Sequence, residues 1–247
     1  MKKKFYLSVL LMLTILSTYG CISFISGDPI VASANKITKD FNTEDFQQVE
    51  SNIPAQIYIV QSDNYSVSAY GPDNQIPLLK IFVKGNTLYL NADKSWNQKI
   101  KSGKKQISIH ISVPNLTAIT HNGVGDIQLN KHAEFDNLTI KLKGVGDVLC
   151  EDMACKQLEV NLTGVGDVKL KGNSESAYYK NSGVGDIKAK EMAVSSLAVK
   201  HSGVGDVACR AVKELAINAS GVGDVVYYGN PTLKDVHKSS VGKIKHK

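Results

Sequence analysis

Six aspartates recur in the second half of this 247-residue chain: Asp126, Asp147, Asp167, Asp186, Asp206 and Asp224, each closing a Gly-Val-Gly-Asp tetrapeptide. The tetrapeptides begin at Gly123, Gly144, Gly164, Gly183, Gly203 and Gly221, separated by 21, 20, 19, 20 and 18 residues. A degenerate copy, Ser240-Val241-Gly242-Lys243, follows 19 residues later. Regularly spaced carboxylates in loops are hard oxygen ligands of the kind calcium takes. Stacked about 4.8 Å apart, they would also repel by roughly 1 kcal/mol per neighbouring pair even in water. Two arrangements offset that: a bound calcium, or backbone N–H groups donating to each carboxylate from its own turn and the one stacked beside it. The second carries more weight, because Gly/Asp calcium repeats run on a nine-residue period with a residue between Gly and Asp. Lys243, in the aspartate column of the last copy, is expected to close the anionic ladder with a cation.

Other reactive side chains are sparser. His121 and His201 share a column two places before the motif, but four repeats part them, about 19 Å, too far to share a metal. Cys150 and Cys209 share a column about 14 Å apart, beyond the limit of about 7 Å for a disulfide, and read as small core residues. A local bridge between Cys150 and Cys155 is open in an oxidising compartment. Tyr178, Tyr179, Tyr227, Tyr228 and Trp96 could stack sugars, although adjacent residues on a strand point to opposite sides. A polysaccharide lyase or hydrolase would need a singular acid and base. The one arginine, Arg210, sits one place past a core column, and no HExxH, P-loop or nucleophile-elbow pattern occurs. No catalytic residue is assigned, and no cofactor beyond the calcium alternative.

The elements that carry these residues follow from period-two patterning. After each Asp comes a β-branched residue, Ile127, Val148, Val168, Ile187, Val207 or Val225, and two places on a mostly apolar one. Upstream, Leu138-Thr139-Ile140-Lys141-Leu142 and Leu158-Glu159-Val160-Asn161-Leu162 alternate in the same way. This predicts strand, turn, strand in each repeat. One such unit cannot bury its own apolar face, so the repeats must stack. The expected fold is all-β, a parallel β-solenoid of about 20 residues per coil with GVGD corners. The corners fall to Gly123, Gly125, Gly144, Gly146, Gly164, Gly166, Gly183, Gly185, Gly203, Gly205, Gly221 and Gly223, where backbones approach closely. The valines between them are expected as an inward plug. Residues 37–115 lack the motif but alternate similarly, and read as irregular opening coils continuous with the regular solenoid of 116–247.

The amino terminus reads as an export signal. Lys2, Lys3 and Lys4 precede the apolar run 5–16, too short for a membrane span. Thr18-Tyr19-Gly20-Cys21 resembles a lipobox, which makes Cys21 the lipidated residue of a 1–21 signal, with 22–36 a linker. Cleavage after Ala34, at Ala32-Ser33-Ala34, is the alternative. The formal charge of +6 divides as +3 in residues 1–21, +1 in 22–115 and +2 in 116–247. With half of the excess in the signal and nearly all cations Lys, nucleic acid is not an expected partner.

The GVGD ladder, the stretch Ile107–Leu116 ending in Pro114-Asn115-Leu116, and the close Tyr228-Gly229-Asn230-Pro231 before Ser239-Ser240-Val241-Gly242 resemble the head GIN domain of putative auto-transporter adhesins. The resemblance covers roughly residues 40–245. It implies a β-helical, exported bacterial lipoprotein of a group common in Bacteroidota, with no established catalytic residues. The expected function is an adhesin-like binding or structural module of the cell envelope, anchored to the outer membrane by its lipid, with a glycan or surface protein as ligand. Two alternatives stay open: a carbohydrate-active enzyme on a β-helix, and a self-assembling surface protein.

Overall fold

Nearly every period-two stretch becomes a strand in a computed structural model that describes residues 31–93, 96 and 107–247. Residues 1–30, which include Cys21, lie outside this range, as does the lysine-bearing loop 99–105. In chain order the strands are β1 (Lys36–Phe41), β2 (Gln48–Ser51), β3 (Gln56–Gln61), β4 (Ser66–Pro72), β5 (Leu79–Lys84), β6 (Thr87–Ala92), β7 (Ser108–Val113), β8 (Ala118–His121), β9 (Ile127–Leu142), β10 (Val148–Leu162), β11 (Val168–Asn181), β12 (Ile187–His201), β13 (Val207–Ala219), β14 (Val225–Tyr228), β15 (Thr232–Lys238) and β16 (Ile244–His246). β9 to β13 stack in parallel, each pairing with the strand one repeat on, so the fold is the expected β-solenoid.

Each regular coil has three sides. In β10 the inward residues are Val148 and Cys150, then Met153 and Cys155, then Leu158, Val160 and Leu162. Between these runs stand two consecutive outward residues, Glu151-Asp152 and Lys156-Gln157. Two outward neighbours break the period of two, so the chain must bend there. Ladder irregularities fall at the first bend, between Cys150 and Met153 against β11. The GVGD segment makes the third corner. The simple strand, turn, strand layout is thus replaced by one strand bent at two points, because in-register stacking lets the ladder continue through each bend.

Columns of like residues fill the interior. Leu138, Leu158, Ala177, Leu197 and Leu215 lie in register and are buried. Each rung covers the apolar floor of the last, and truncating one such leucine to alanine costs about 2–5 kcal/mol.

The opening region differs from the expected run of coils. β2 stacks in parallel on β6 and β8, and β3 on β7 and β9, which joins the region to the solenoid. β4, however, runs antiparallel to both β1 and β7, and β5–β6 is an antiparallel hairpin. Gly85 turns that hairpin at φ 62°, the left-handed conformation glycine adopts without penalty. Buried Phe46, Ile76 and Trp96 fill the core at this end. Antiparallel strands reverse the chain, and the exposed β1, with Lys36 and Lys39, leaves an edge unsuited to further pairing.

Candidate functional site

The GVGD corner is a backbone device. Val145 N–H donates to the Gly123 carbonyl at 2.9 Å and Gly125 N–H to the Val145 carbonyl at 2.8 Å, and the pattern repeats up the stack. This brings successive corners together: a Cβ on Gly144 would fall on the Gly123 carbonyl oxygen, and one on Gly146 on that of Gly125. The second glycine of each motif also holds φ between 127° and 148°. Both glycine columns lie where successive corners approach most closely.

The valines do not point inward. Val124, Val145, Val165, Val184, Val204 and Val222 are 48–51% exposed. The inward plug is corrected to an outward rail. Ile127 is buried, so by alternation Gly125 and Gly123 face in, while Val124 and Asp126 face out beside Gln128.

Beside this rail the aspartates form a ladder of hydrogen bonds. Oδ1 of Asp126 accepts from Asp147 N–H at 3.1 Å, Asp147 from Asp167 at 2.9 Å, Asp167 from Asp186 and Asp186 from Asp206 at 2.8 Å, and Asp206 from Asp224 at 2.7 Å. Asp224 accepts from Lys243 N–H at 2.7 Å. Each carboxylate thus meets a backbone donor of the next coil, which answers the repulsion between rungs. Gln56 of β3 heads the ladder: its Oε1 accepts Asp126 N–H at 3.2 Å and its Nε2 donates to Asp126 Oδ2 at 3.1 Å. At the other end the ion pair to Asp224 comes from Lys245, with Lys243 contributing mainly its backbone. Lys188 pairs with Asp167 and, at 3.4 Å, with Asp186.

These contacts set the acidity of two rungs. Burial pushes the Asp167 carboxyl up, but Lys188 and the Asp186 amide outweigh it and hold it below the usual range. Lys245, then the Lys243 amide, hold Asp224 below its ordinary value. Among the described residues no three His, Cys, Asp or Glu side chains come together to hold a metal ion.

The remaining candidates disperse. His121 and His201 are buried in one inward column with Leu142, Leu162 and Asn181 between them, and share nothing. Burial lowers the His201 pKa, and the charge of Asp206 offsets this only in part. Cys150, Cys155 and Cys209 are buried free thiols. The local bridge is corrected: Cys150 and Cys155 occupy different sides of the coil, across the Glu151-Asp152 bend. Burial pushes Cys150 and Cys209 to about 12 and Cys155 to about 11, far from nucleophilic. The aromatics form no platform. Tyr179 and Trp96 are buried, Tyr227 stacks on His246, and Arg210 stands 5.9 Å from the Tyr228 ring. Arg210 Nε also donates to the Lys190 carbonyl at 2.9 Å. A surface cluster unseen in the sequence links rungs through His132, 3.0 Å from Asp152 and 3.2 Å from Glu134.

Tyr178 opens onto a groove, of about 720 Å³, along the third side. Its floor is the outward column Thr139, Glu159, Tyr178, Ala198 and Ala216, in register across β9 to β13. Two places along each strand runs a second outward column, Lys141, Asn161, Lys180, Lys200 and Asn218.

Such a stack, with three sides, glycine corners and a capped opening end, defines a β-solenoid repeat protein with extended faces. The chain belongs to the family described as putative auto-transporter adhesin, head GIN domain, which matches residues 45–231. A putative adhesin from Bacteroides fragilis NCTC 9343 is 37% identical, with a TM-score of 0.84 over 88% of this chain and 100% of that one. A putative adhesin from Parabacteroides merdae ATCC 43184, 17% identical, and a putative lipid binding protein from Parabacteroides distasonis ATCC 8503, 19% identical, share the fold. Their TM-scores are 0.67 and 0.63, over 90% and 89% of this chain and 100% of each of theirs. No curated protein matches the chain.

Proposed function

We propose that the chain is an exported, surface-facing adhesin module, lipid-anchored through Cys21, that grips an extended glycan along its third side without catalysis. The observation that carries this reading is the groove column Thr139, Glu159, Tyr178, Ala198 and Ala216, which varies over its first four rungs and repeats only in the last two, where the corner columns repeat throughout. An exposed tyrosine ring beside two alanines gives a stacking face with room above it. Lys180 and Lys200, with Asn161 and Asn218, add donors for hydroxyls and carboxylates. Kinship with proteins described as adhesins supports binding as the activity.

A glycan-array screen of the full chain tests this. Binding to an acidic polysaccharide that Tyr178→Ala weakens at least about tenfold is expected. New reducing ends or unsaturated products during incubation would instead establish an enzyme. Mass spectrometry of the mature amino terminus is expected to find lipid on Cys21, and an unmodified Asn35 would refute the anchor.

A further inference from the structure

The valine rail has a self-complementary shape. Val241, with a rail neighbour on one side only, is 73% exposed, while the six valines with neighbours on both sides are 48–51%. The rail thus shields only its own flanks, and its crest lies open to solvent across every rung. Beside it runs a groove of about 720 Å³, floored by Gly144, Gly164, Gly183, Gly203 and Gly221. The groove's far wall is the exposed column Lys143, Thr163, Ser182, Ser202 and Ser220. The aspartate ladder stands on the other side of the rail. Read across, each rung runs hydroxyl or lysine, glycine groove, valine crest, glycine, aspartate.

We propose that this edge joins two copies of the chain, set side by side and parallel, each laying its valine rail in the other's glycine-floored groove. Three features favour a second copy. A rail with one valine per rung, about 4.8 Å apart, needs a partner of the same period, and this chain has it. A two-fold axis along the stack puts rail in groove twice over, as a self-complementary patch requires. The same operation sets the partner's hydroxyl and lysine column beside the aspartates, so that Lys143 approaches the partner's Asp147. An antiparallel pair would set aspartate column against aspartate column and crest against crest. With six valines about half exposed and Val241 more so, the rail would present an apolar stripe on the order of several hundred Å². Doubled across the axis, it approaches the total of about 1,000 Å² that a specific interface needs.

Site-directed cross-linking and sedimentation of the full chain test the proposal. Val145→Cys is expected to form a covalent homodimer on mild oxidation, because a parallel pair sets each rung beside its equivalent. Val212→Cys is the control: Val212 is 51% exposed but lies off the rail, and should not cross-link. Replacing Val165, Val184 and Val204 together by the isosteric, equally β-branched threonine should weaken dimerisation at least about tenfold and leave the monomer's Tm in place. Ser202→Lys should strengthen the dimer and Ser202→Asp weaken it. A monomer at all concentrations up to about 100 µM, a dimer indifferent to the threonine changes, or cross-linking only between Val145→Cys and Val222→Cys chains would overturn the arrangement. Glycan binding at Tyr178 lies on another side, so the two proposals fail independently.

Discussion

The corner and the third side of the same coils behave in opposite ways. Along the corner each rung repeats the last: glycine, valine, glycine, aspartate, six times over. Along the groove the outward residue changes from threonine to glutamate, tyrosine and alanine, and repeats only over the last two rungs. The difference has a physical source. At the corner the backbone of one coil touches the next, so every copy faces the same steric and hydrogen-bonding demand. On the third side the outward side chains meet solvent and one another, as where Asn161 donates to Glu159, and no backbone contact between coils fixes their identity. The repeated glycines and aspartates therefore mark what stacking requires, and the variation along the third side marks where recognition of another ligand has room.

Substitutions at the corner should break that contrast most severely. Gly146→Ala places a Cβ on the Gly125 carbonyl at a φ of 141°, and is expected to cost more than about 4 kcal/mol or prevent folding, read by urea denaturation. Asp186→Ala, which leaves the Asp206 amide without its acceptor, should cost about 1–3 kcal/mol. Asp186→Asn keeps an acceptor oxygen and should lose much less; equal losses would mean that charge, not the hydrogen bond, holds the rung. Millimolar calcium is expected to leave the Tm unchanged, since the amides already occupy each Oδ1.

Smaller effects concern pH. His201 has a folded pKa below its unfolded value, so it binds protons mainly when unfolded. Its contribution is present above about pH 6.5 and is lost as pH falls through the folded pKa. His201→Asn should flatten that slope, because Asn181, in register one coil earlier, already bonds the Gly183 amide and Gly185 carbonyl of its own corner. Asp167 and Asp224 are likewise depressed, so their stabilisation is full above about pH 4 and disappears as pH falls through their lower folded values. The smallest effect on stability belongs to the groove: Tyr178→Ala should shift unfolding by no more than about 0.5 kcal/mol while weakening ligand capture at least about tenfold.

Much of this was legible in the residue order. The repeat length and the period-two columns specify a stacked β-coil, and the glycines specify its close corner. The valine direction was legible too, through parity with Gln128 and Lys169, but glycines on both sides carry no side chain to display the phase. The two bends of each coil are visible as polar doublets such as Glu151-Asp152 and Lys156-Gln157, once a doublet is taken as a corner and not an irregular strand. Gln56 as the head of the ladder was beyond reach. It lies 70 residues from Asp126 and carries no motif, and only the pairing of β3 with β9 brings them together. The antiparallel opening strands were obscure for a related reason, since alternation alone does not give strand direction.

The direction of the ladder bonds also governs how the molecule bears load. They run from coil to coil along the stack, so a pull on its two ends tests them one rung at a time, as in opening a zipper, rather than all together in shear. Each released coil of about 20 residues would pay out roughly 65–70 Å of slack. Tethered at one end and loaded at the other, such a stack would act as an extensible spool, yielding in even steps and rewinding when the tension falls.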